Sequence, residues 1–512
     1  MVEERKFVDS QRVISSRTRS VLTLLLACGL VCACTVGPDY RAPNVPLPDR
    51  WPSQPSSADG SSDASLANWW TALNDPILDQ LVQQALVENK NVRQAMARVT
   101  EARARRNISL AGLSPTVDSS TRASRTSSET RSNVRDLDVD DLDSLPGAAD
   151  TGNSRFSLES EDYDAALDAR WELDLFGGKR RALQASTAQL GASDADLRDV
   201  LVTLLGDVAL GYVNVRTVQS RLAFAERNLE SQREVVTITG WRAEAGLADA
   251  VDVAQAKTSY AQTQAQIPAL EANLAAAMNR IAVLTGQQPG ALAGVLGERK
   301  PIPVTPADIV TSVPAEVMRR RPDIRRAERR LAAQTAQVGV ATAALYPSLS
   351  LTGSFGVSAD SFSGLMSNNF GSDRFGFGIT MPVFRAGALR QNVKAQSALV
   401  EQALATYEAT VLSAFEEVEN ALVAWSTEQR RHAALVEAAS NARIARELAL
   451  VQYNAGLVDF QTVLNADRQQ IASEDALAVS DGELTANLIR LYKAFGGGWG
   501  AFPAPASRAN PT

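Results

Sequence analysis

Residues 165–175 read Ala-Ala-Leu-Asp-Ala-Arg-Trp-Glu-Leu-Asp-Leu, and their alternation decides which kind of sheet the chain builds. In an extended strand Ala165, Leu167, Ala169, Trp171, Leu173 and Leu175 share one face, while Ala166, Asp168, Arg170, Glu172 and Asp174 share the other. A charge facing lipid at mid-bilayer costs about 2–4 kcal/mol, whereas one facing water stays hydrated. The pattern suits the wall of a membrane barrel, with Asp168, Arg170, Glu172 and Asp174 turned to a wet lumen. A soluble antiparallel sheet with one wet face gives the same alternation.

Three further stretches carry this period. Leu349, Leu351, Phe355 and Val357 alternate with Ser350, Thr352, Ser354 and Gly356. Phe375, Phe377, Ile379, Met381 and Val383 alternate with Gly376, Gly378, Thr380 and Pro382, and Thr116 to Ser124 is a weaker fourth strand. Even small barrels need about eight strands, so four per chain imply an oligomer. Two loops are expected between the strands, over 125–162 and 358–373. The first holds the acidic run Asp136 to Asp143, which lacks regular calcium-loop spacing and reads as a solvated segment, with metal binding a remote alternative.

The strands belong to an internal repeat. Asn91-Val92-Arg93-Gln94-Ala95 to Pro115 matches Asp323-Ile324-Arg325-Arg326-Ala327 to Pro347 without a gap, and Ala245-Gly246-Leu247-Ala248-Asp249 matches Ala455-Gly456-Leu457-Val458-Asp459. Each copy runs helix, strand, loop, strand, long helix, turn, helix. The organisation expected is a signal at 1–33, an extended segment at 34–70, repeats at 71–285 and 307–495 joined by 286–306, and a Gly/Pro-rich tail at 496–512. The long helices, near 178–239 and 389–454, would measure about 90–100 Å at 1.5 Å per residue. In the second, Leu404, Tyr407, Val411, Phe415, Val418, Leu422 and Trp425 recur with the 3.5-residue period of a left-handed coiled coil. Each ends at an Ala-Gly-Leu where Gly246 or Gly456 can take the left-handed backbone of a helix end. Shorter helices return over Asp249–Leu284 and Asp459–Phe495.

Arg12, Arg17 and Arg19 precede the apolar run Val21–Ala33, which rises about 20 Å as a helix and is too short to span a bilayer. It ends Val31-Cys32-Ala33-Cys34, similar to a bacterial lipobox, so Cys34 is expected to carry a diacylglycerol and an N-acyl chain; an ordinary cleaved signal is the alternative. Thr35 after the cysteine, where inner-membrane lipoproteins often have Asp, points to the outer membrane. All three cysteines (28, 32, 34) lie in this region, leaving none for a disulfide.

Other chemistry is thinly represented. The 512 residues are 45% hydrophobic and 21% charged, with a net charge of −7 and no basic tract, so there is no electrostatic footprint for nucleic acid. No HExxH, CxxC, GxSxG or P-loop occurs, which argues against an enzyme, a resident metal or a cofactor other than the lipid on Cys34. The only histidine, His432, reads as a solvated helix-face residue. The arginines between Arg319 and Arg330 have Glu316, Asp323 and Glu328 within helical reach and read as a salt-bridged face.

Several motifs resemble one family. Cys34-Thr35-Val36-Gly37-Pro38-Asp39-Tyr40-Arg41-Ala42-Pro43, then Trp69-Trp70, Trp171-Glu172-Leu173-Asp174-Leu175-Phe176-Gly177, Arg321-Pro322-Asp323-Ile324-Arg325-Arg326-Ala327-Glu328, Tyr346-Pro347-Ser348-Leu349 and Tyr453-Asn454-Ala455-Gly456 are similar to the NodT/OprM-type outer-membrane efflux lipoproteins, relatives of TolC. The resemblance implies a homotrimer in outer-membrane lipid sharing a 12-stranded barrel, four strands per chain, continued by a helical periplasmic tunnel. It implies docking, at the turns of Gly246 and Gly456, of a periplasmic adaptor (a membrane fusion protein) bound to an inner-membrane RND transporter. It also implies a tunnel end ringed by carboxylates. Here the family's Leu-Leu-Asp aspartate aligns with Asn465, leaving Asp459, Asp249 and Asp252 as candidate constriction residues and Asp467 as the other second-repeat carboxylate. Each aspartate also suits a helix N-terminus. The function expected is a passive exit duct for small molecules; a protein-secretion duct and a pore-free lipid-anchored coiled-coil scaffold are the alternatives.

Overall fold

The structure, a computed structural model, describes residues 35–44, 51–52, 67–131, 155–303, 315–367 and 371–498. Cys34 and the acidic run 136–143 lie outside the described residues. The chain divides into two compact units, each drawing on both repeats: 1–40, 105–186 and 334–399 form the first, and 41–104, 187–333 and 400–512 the second.

The first unit holds a four-stranded antiparallel sheet in the order β1 (Thr116–Arg131), β2 (Arg155–Leu173), β3 (Ser348–Ala359) and β4 (Gly371–Thr380). Register explains why this sheet is two-faced. Val117, Ala169, Gly353 and Phe375 form one cross-strand row, and Trp171, Leu351 and Phe377 form another on the same face. Asp118, Asp168, Ser354 and Arg374 make a row on the opposite face. On the apolar face Phe375, Phe377 and Ile379 are 79%, 74% and 68% exposed, so none of the described residues covers them. From Tyr163 to Leu173 that face spans about 35 Å along the strand, or about 25 Å in height at a 45° tilt, the height that the apolar band of membrane barrels has.

The strands are longer than expected. Pairing continues to Arg131 and resumes at Arg155, so much of the expected loop 125–162 is strand, and the expected loop 358–373 is largely strand and a helical turn, Phe362–Ser367. Alternation breaks there because charge enters the otherwise apolar side: Glu159 and Glu161 stand on it, where Arg125 reaches them at 2.8 and 3.7 Å. Backbone pairing needs no apolar face.

The second unit is helical. α1 (Pro76–Glu88) starts at Asp75, whose Oδ1 accepts from the Ile77 amide at 2.9 Å, with Pro76 pre-set for the first turn. α2 (Lys90–Ala111) follows, and α5 (Pro322–Ala343) is its repeat partner. The long helices α3 (Gly178–Glu244) and α6 (Ala388–Asn454) have 67 residues each, about 100 Å. The returns are α4 (Ala250–Leu284) and α7 (Phe460–Ala494). α3 is long and apolar enough to cross a bilayer, yet 61% of its most apolar stretch is buried inside the protein, which makes it a core helix.

The core gathers Trp51, Trp69, Leu201, Leu205, Ile281 and Tyr492 with the α6 stripe Tyr407, Val411, Val418 and Leu422. Trp69 stacks on Tyr492 with centroids 5.3 Å apart, and Trp51 on Phe415 at 4.9 Å. The inter-repeat segment is tied to α3 through polar groups. Fully buried Arg216 donates to the Glu298 carbonyl at 2.7 Å, and Gln219 donates to the Leu296 carbonyl at 2.6 Å. The arginine-rich start of α5 is ion-paired as expected, but largely to distant partners: Arg326 reaches Asp196 and Asp199 at 2.9 and 2.6 Å, and Arg321 reaches Asp323 and Glu417.

Candidate functional site

Three sets of residues are candidates for function: the helix turns of the second unit, and the charged sheet face and N-terminal segment of the first. At the turns, Gly246 and Gly456 adopt φ of 71° and 73°. Their amides donate to the Ala243 and Tyr453 carbonyls, and those of Leu247 and Leu457 to Arg242 and Gln452, the paired bonds of a glycine-terminated helix. A side chain at either glycine would meet open space, so the backbone angle is what calls for glycine. Leu247 and Leu457 are 68% and 75% exposed, leaving both tips apolar and uncovered among the described residues.

The aspartates after the turns differ. Asp459 caps α7, accepting from the Thr462 amide at 3.0 Å and its hydroxyl at 2.6 Å; these bonds hold its carboxyl below the usual carboxylate range. Asp249 caps α4 by position but receives no side-chain bond. The residue three places on is Asp252, an anion that cannot donate as Thr462 does. Asn465 is exposed, and its amide oxygen accepts from Gln461 at 3.2 Å. Asp467 is no free carboxylate: it is buried, Gln232 donates to it at 2.9 Å, and Arg446 lies 3.7 Å away. Burial raises its pKa against the lowering pull of those two partners.

Sequence reasoning missed what joins the two tips. Arg242, at the end of α3, donates to the carbonyls of Tyr453 at 2.9 Å and Asn454 at 3.3 Å, and its guanidinium lies 4.4 Å from the Tyr453 ring centre. It thereby caps the negative end of α6. Val235, Ala256, Tyr453, Phe460, Val463 and Leu464 close an apolar cluster beside it. A lone arginine near a helix end gave no signal of its partner, 211 residues away in the chain.

On the sheet, Asp168, Arg170 and Glu172 share the polar face, as expected. Asp168 accepts from the Ser120 hydroxyl at 3.0 Å, and Glu172 pairs with Lys179 at 3.3 Å. Asp174 corrects the expectation. It lies past the end of β2, and its carboxylate accepts from the amides of Lys179 at 3.1 Å and Arg180 at 2.8 Å. The negative side chain satisfies the orphan N–H groups at the start of α3, and the strand stops there.

The N-terminal segment is clamped within the same unit. The Val36 amide donates to the Phe176 carbonyl at 3.1 Å. Arg181, 4% exposed, donates to the carbonyls of Val36 and Gly37 at 3.2 Å each and to Asp39 at 2.8 Å. Gly37 crosses Gly339 so closely that a Cβ on Gly37 would stand 2.5 Å from the Gly339 Cα. Residue 35 is thus held against Gly177, at the junction of β2 and α3. His432 also departs from expectation: instead of being solvated, it binds Asp481 of α7 at 2.7 Å.

Comparison with known proteins gives a consistent picture. The chain matches the family described as outer membrane efflux protein over residues 81–287 and 313–497. Nodulation protein T of Rhizobium leguminosarum bv. trifolii is 32% identical over 470 residues, 92% of this chain and 96% of that protein. The solvent efflux pump outer membrane protein SrpC of Pseudomonas putida is 32% identical over 476 residues, 91% and 96% of the two chains. Among solved structures, the outer-membrane channel OprN superposes with a TM-score of 0.82 at 37% identity, covering 91% of this chain and 100% of that one.

Proposed function

The chain belongs to the outer membrane efflux protein family, and on that premise we propose that it is the outer-membrane channel component of a tripartite RND-type efflux system, a passive exit duct for small molecules. The observation that carries this reading is the two-faced sheet with two open edges. β1 and β4 each leave one row of backbone N–H and C=O groups unpaired among the described residues, a cost that lipid does not forgive. Three copies joined edge to edge form a closed 12-stranded barrel with the apolar rows outward and Asp168, Arg170 and Glu172 inward. In a pore-free scaffold, Phe375, Phe377 and Ile379 would stand in water.

In this reading Cys34 carries the lipid. The clamp on residues 35–39 supports it by holding that segment near the end of β2, at the edge of the apolar band. The long helices make the periplasmic tunnel. The exposed Leu247 and Leu457 turns, with Gly246 and Gly456, receive the periplasmic adaptor, which links the duct to an inner-membrane RND transporter. Asp459 lines the constriction, with Asp249, Asp252 and Asn465 nearby. The family's members are channel and efflux proteins, and catalysis has no part in this mechanism: transporter and adaptor supply energy and opening, and the duct supplies a hydrated path whose charges select by sign.

The test is single-channel conductance of the purified protein in planar bilayers, after its mass in detergent is measured. A trimer with discrete cation-preferring openings that change in Asp459→Ala supports the duct and its constriction. A monomer that never inserts sinks the barrel. Mass spectrometry of the N-terminal peptide, with Cys34→Ala as control, tests the lipid separately.

A further inference from the structure

The second hairpin is held by charge in a way the first is not. On α7, Asp467, Glu474 and Asp481 recur at intervals of seven residues and so lie along one face. Each meets a base from α6: Arg446 at 3.7 Å, Arg443 at 3.0 Å and His432 at 2.7 Å. As the α7 numbers rise the α6 numbers fall, as antiparallel helices require. Asp467 and Glu474 are buried, so these rungs fix the register of α6 on α7. At the matching places of the first repeat stand Val236, Arg233 and Leu222 on α3 against Lys257, Gln264 and Glu271 on α4, and none of these couples is an acid with a base.

Two rungs use arginine, which keeps its charge at every physiological pH. The third uses the chain's only histidine, and histidine is the side chain that gains its charge between pH 8 and 5. His432 borders a cavity of about 540 Å³ shared with Asp481, Arg299 and Lys300, so water and protons reach it. The groups facing it can be named. From α7 comes Asp481. From the inter-repeat segment come Arg299, neutralised by Glu226 at 2.6 and 2.7 Å, and Lys300, with Glu298 at 3.7 Å. α3 offers the neutral Gln219 and Ser220. On α6 itself Glu428 and Arg431 pair with each other at 3.1 Å, and Glu428 also accepts from Ser480. Among the described residues, Asp481 is therefore the carboxylate that meets a proton arriving on His432.

We propose that the His432–Asp481 rung is a pH-dependent brace: acidification protonates the ring, turns a hydrogen bond between a neutral imidazole and a carboxylate into an ion pair and tightens α6 on α7, while the α3–α4 hairpin stays indifferent to pH. This regulation goes beyond the duct reading and does not depend on it, because its readout is local.

Hydrogen exchange measured by mass spectrometry on the purified full-length protein tests it, with peptides covering 428–436 and 477–485 at pH 5.5 and 7.5 corrected for chemical exchange. Opening in the unaltered protein is expected to be about two- to fivefold rarer at the lower pH, the gain when a partly exposed hydrogen bond becomes an ion pair. That ratio is expected to fall to about one in His432→Gln and Asp481→Asn, and to be about one in an α4 peptide, 264–274, in every protein. The same ratio persisting in His432→Gln, or no pH effect in the unaltered protein, overturns the brace. Neither result touches conductance, so the brace and the duct fail or stand separately.

Discussion

Arg242→Ala is the perturbation that most directly tests how the tips stay together. The substitution removes two charged hydrogen bonds, one well formed at 2.9 Å and one long at 3.3 Å, together with a cation–π contact at 4.4 Å. A charged hydrogen bond contributes about 1.5–3 kcal/mol and a partly desolvated cation–π contact about 1 kcal/mol. Against these stands the Arg242 Nε, which is buried without a partner among the described residues and whose removal returns part of that gain. The net loss is about 2–3 kcal/mol, or about 30- to 150-fold in the balance between joined and separated tips. The assay is open probability in planar bilayers, expected to rise by that order, with Arg242→Lys intermediate because an ammonium keeps the charge but loses the planar fork. An Arg242→Ala channel whose open probability stays within about twofold of the unaltered protein would refute the reasoning. The contact would then be one of packing alone.

Three further outcomes are expected. Arg181→Met keeps the apolar stem and deletes the bonds to Val36, Gly37 and Asp39; as Asp39 is 82% exposed, its ion pair counts for little, and about 2–4 kcal/mol is lost from docking the segment. Hydrogen exchange at the Val36 amide is then expected to speed up by about 30-fold or more, with little change in the global melting temperature. Gly482→Ala drives a Cβ into the Thr217 hydroxyl, an overpacking costing about 1–3 kcal/mol, and the double variant with Thr217→Ala is expected to recover most of the lost melting temperature. Asp467, its pKa raised by burial, binds its proton more tightly folded than unfolded, so its contribution to stability declines as pH rises through the interval above 3.8. The melting temperature of Asp467→Asn relative to the unaltered protein is expected to grow with pH across that interval, and a flat difference between the two counts against the assignment.

Much of the architecture was legible because its signals are local. The alternation from Ala165 to Leu173 and from Phe375 to Ile379 belongs to neighbouring residues on one pleated strand, and the same residues form the apolar face of the sheet. The helix turns were legible for the same reason: Gly246 and Gly456 sit where a left-handed residue must end a long helix, and both have positive φ. Strand ends were not legible. Between Glu159 and Asp162 both faces are polar, so the two-residue period vanishes while the backbone goes on pairing.

The candidate sites divide along the same line. The chain's order of residues determined by itself the repeat, which self-comparison reads directly, and the strand faces, the turns and the helix-capping place of Asp459, since these depend on periods of two to seven residues or on a cap three residues from its partner. Tertiary structure alone decided which charges are free. Asp174 left the sheet face to cap α3, Asp467 became a buried rung, and His432 found Asp481 rather than water. Arg181 and Arg242 proved to be clamps on segments more than a hundred residues away in the chain. The physical reason is the same for all five. A side chain's charge is written in the sequence, but its energetic role depends on the partner and the dielectric around it, and both are assembled only when distant segments pack.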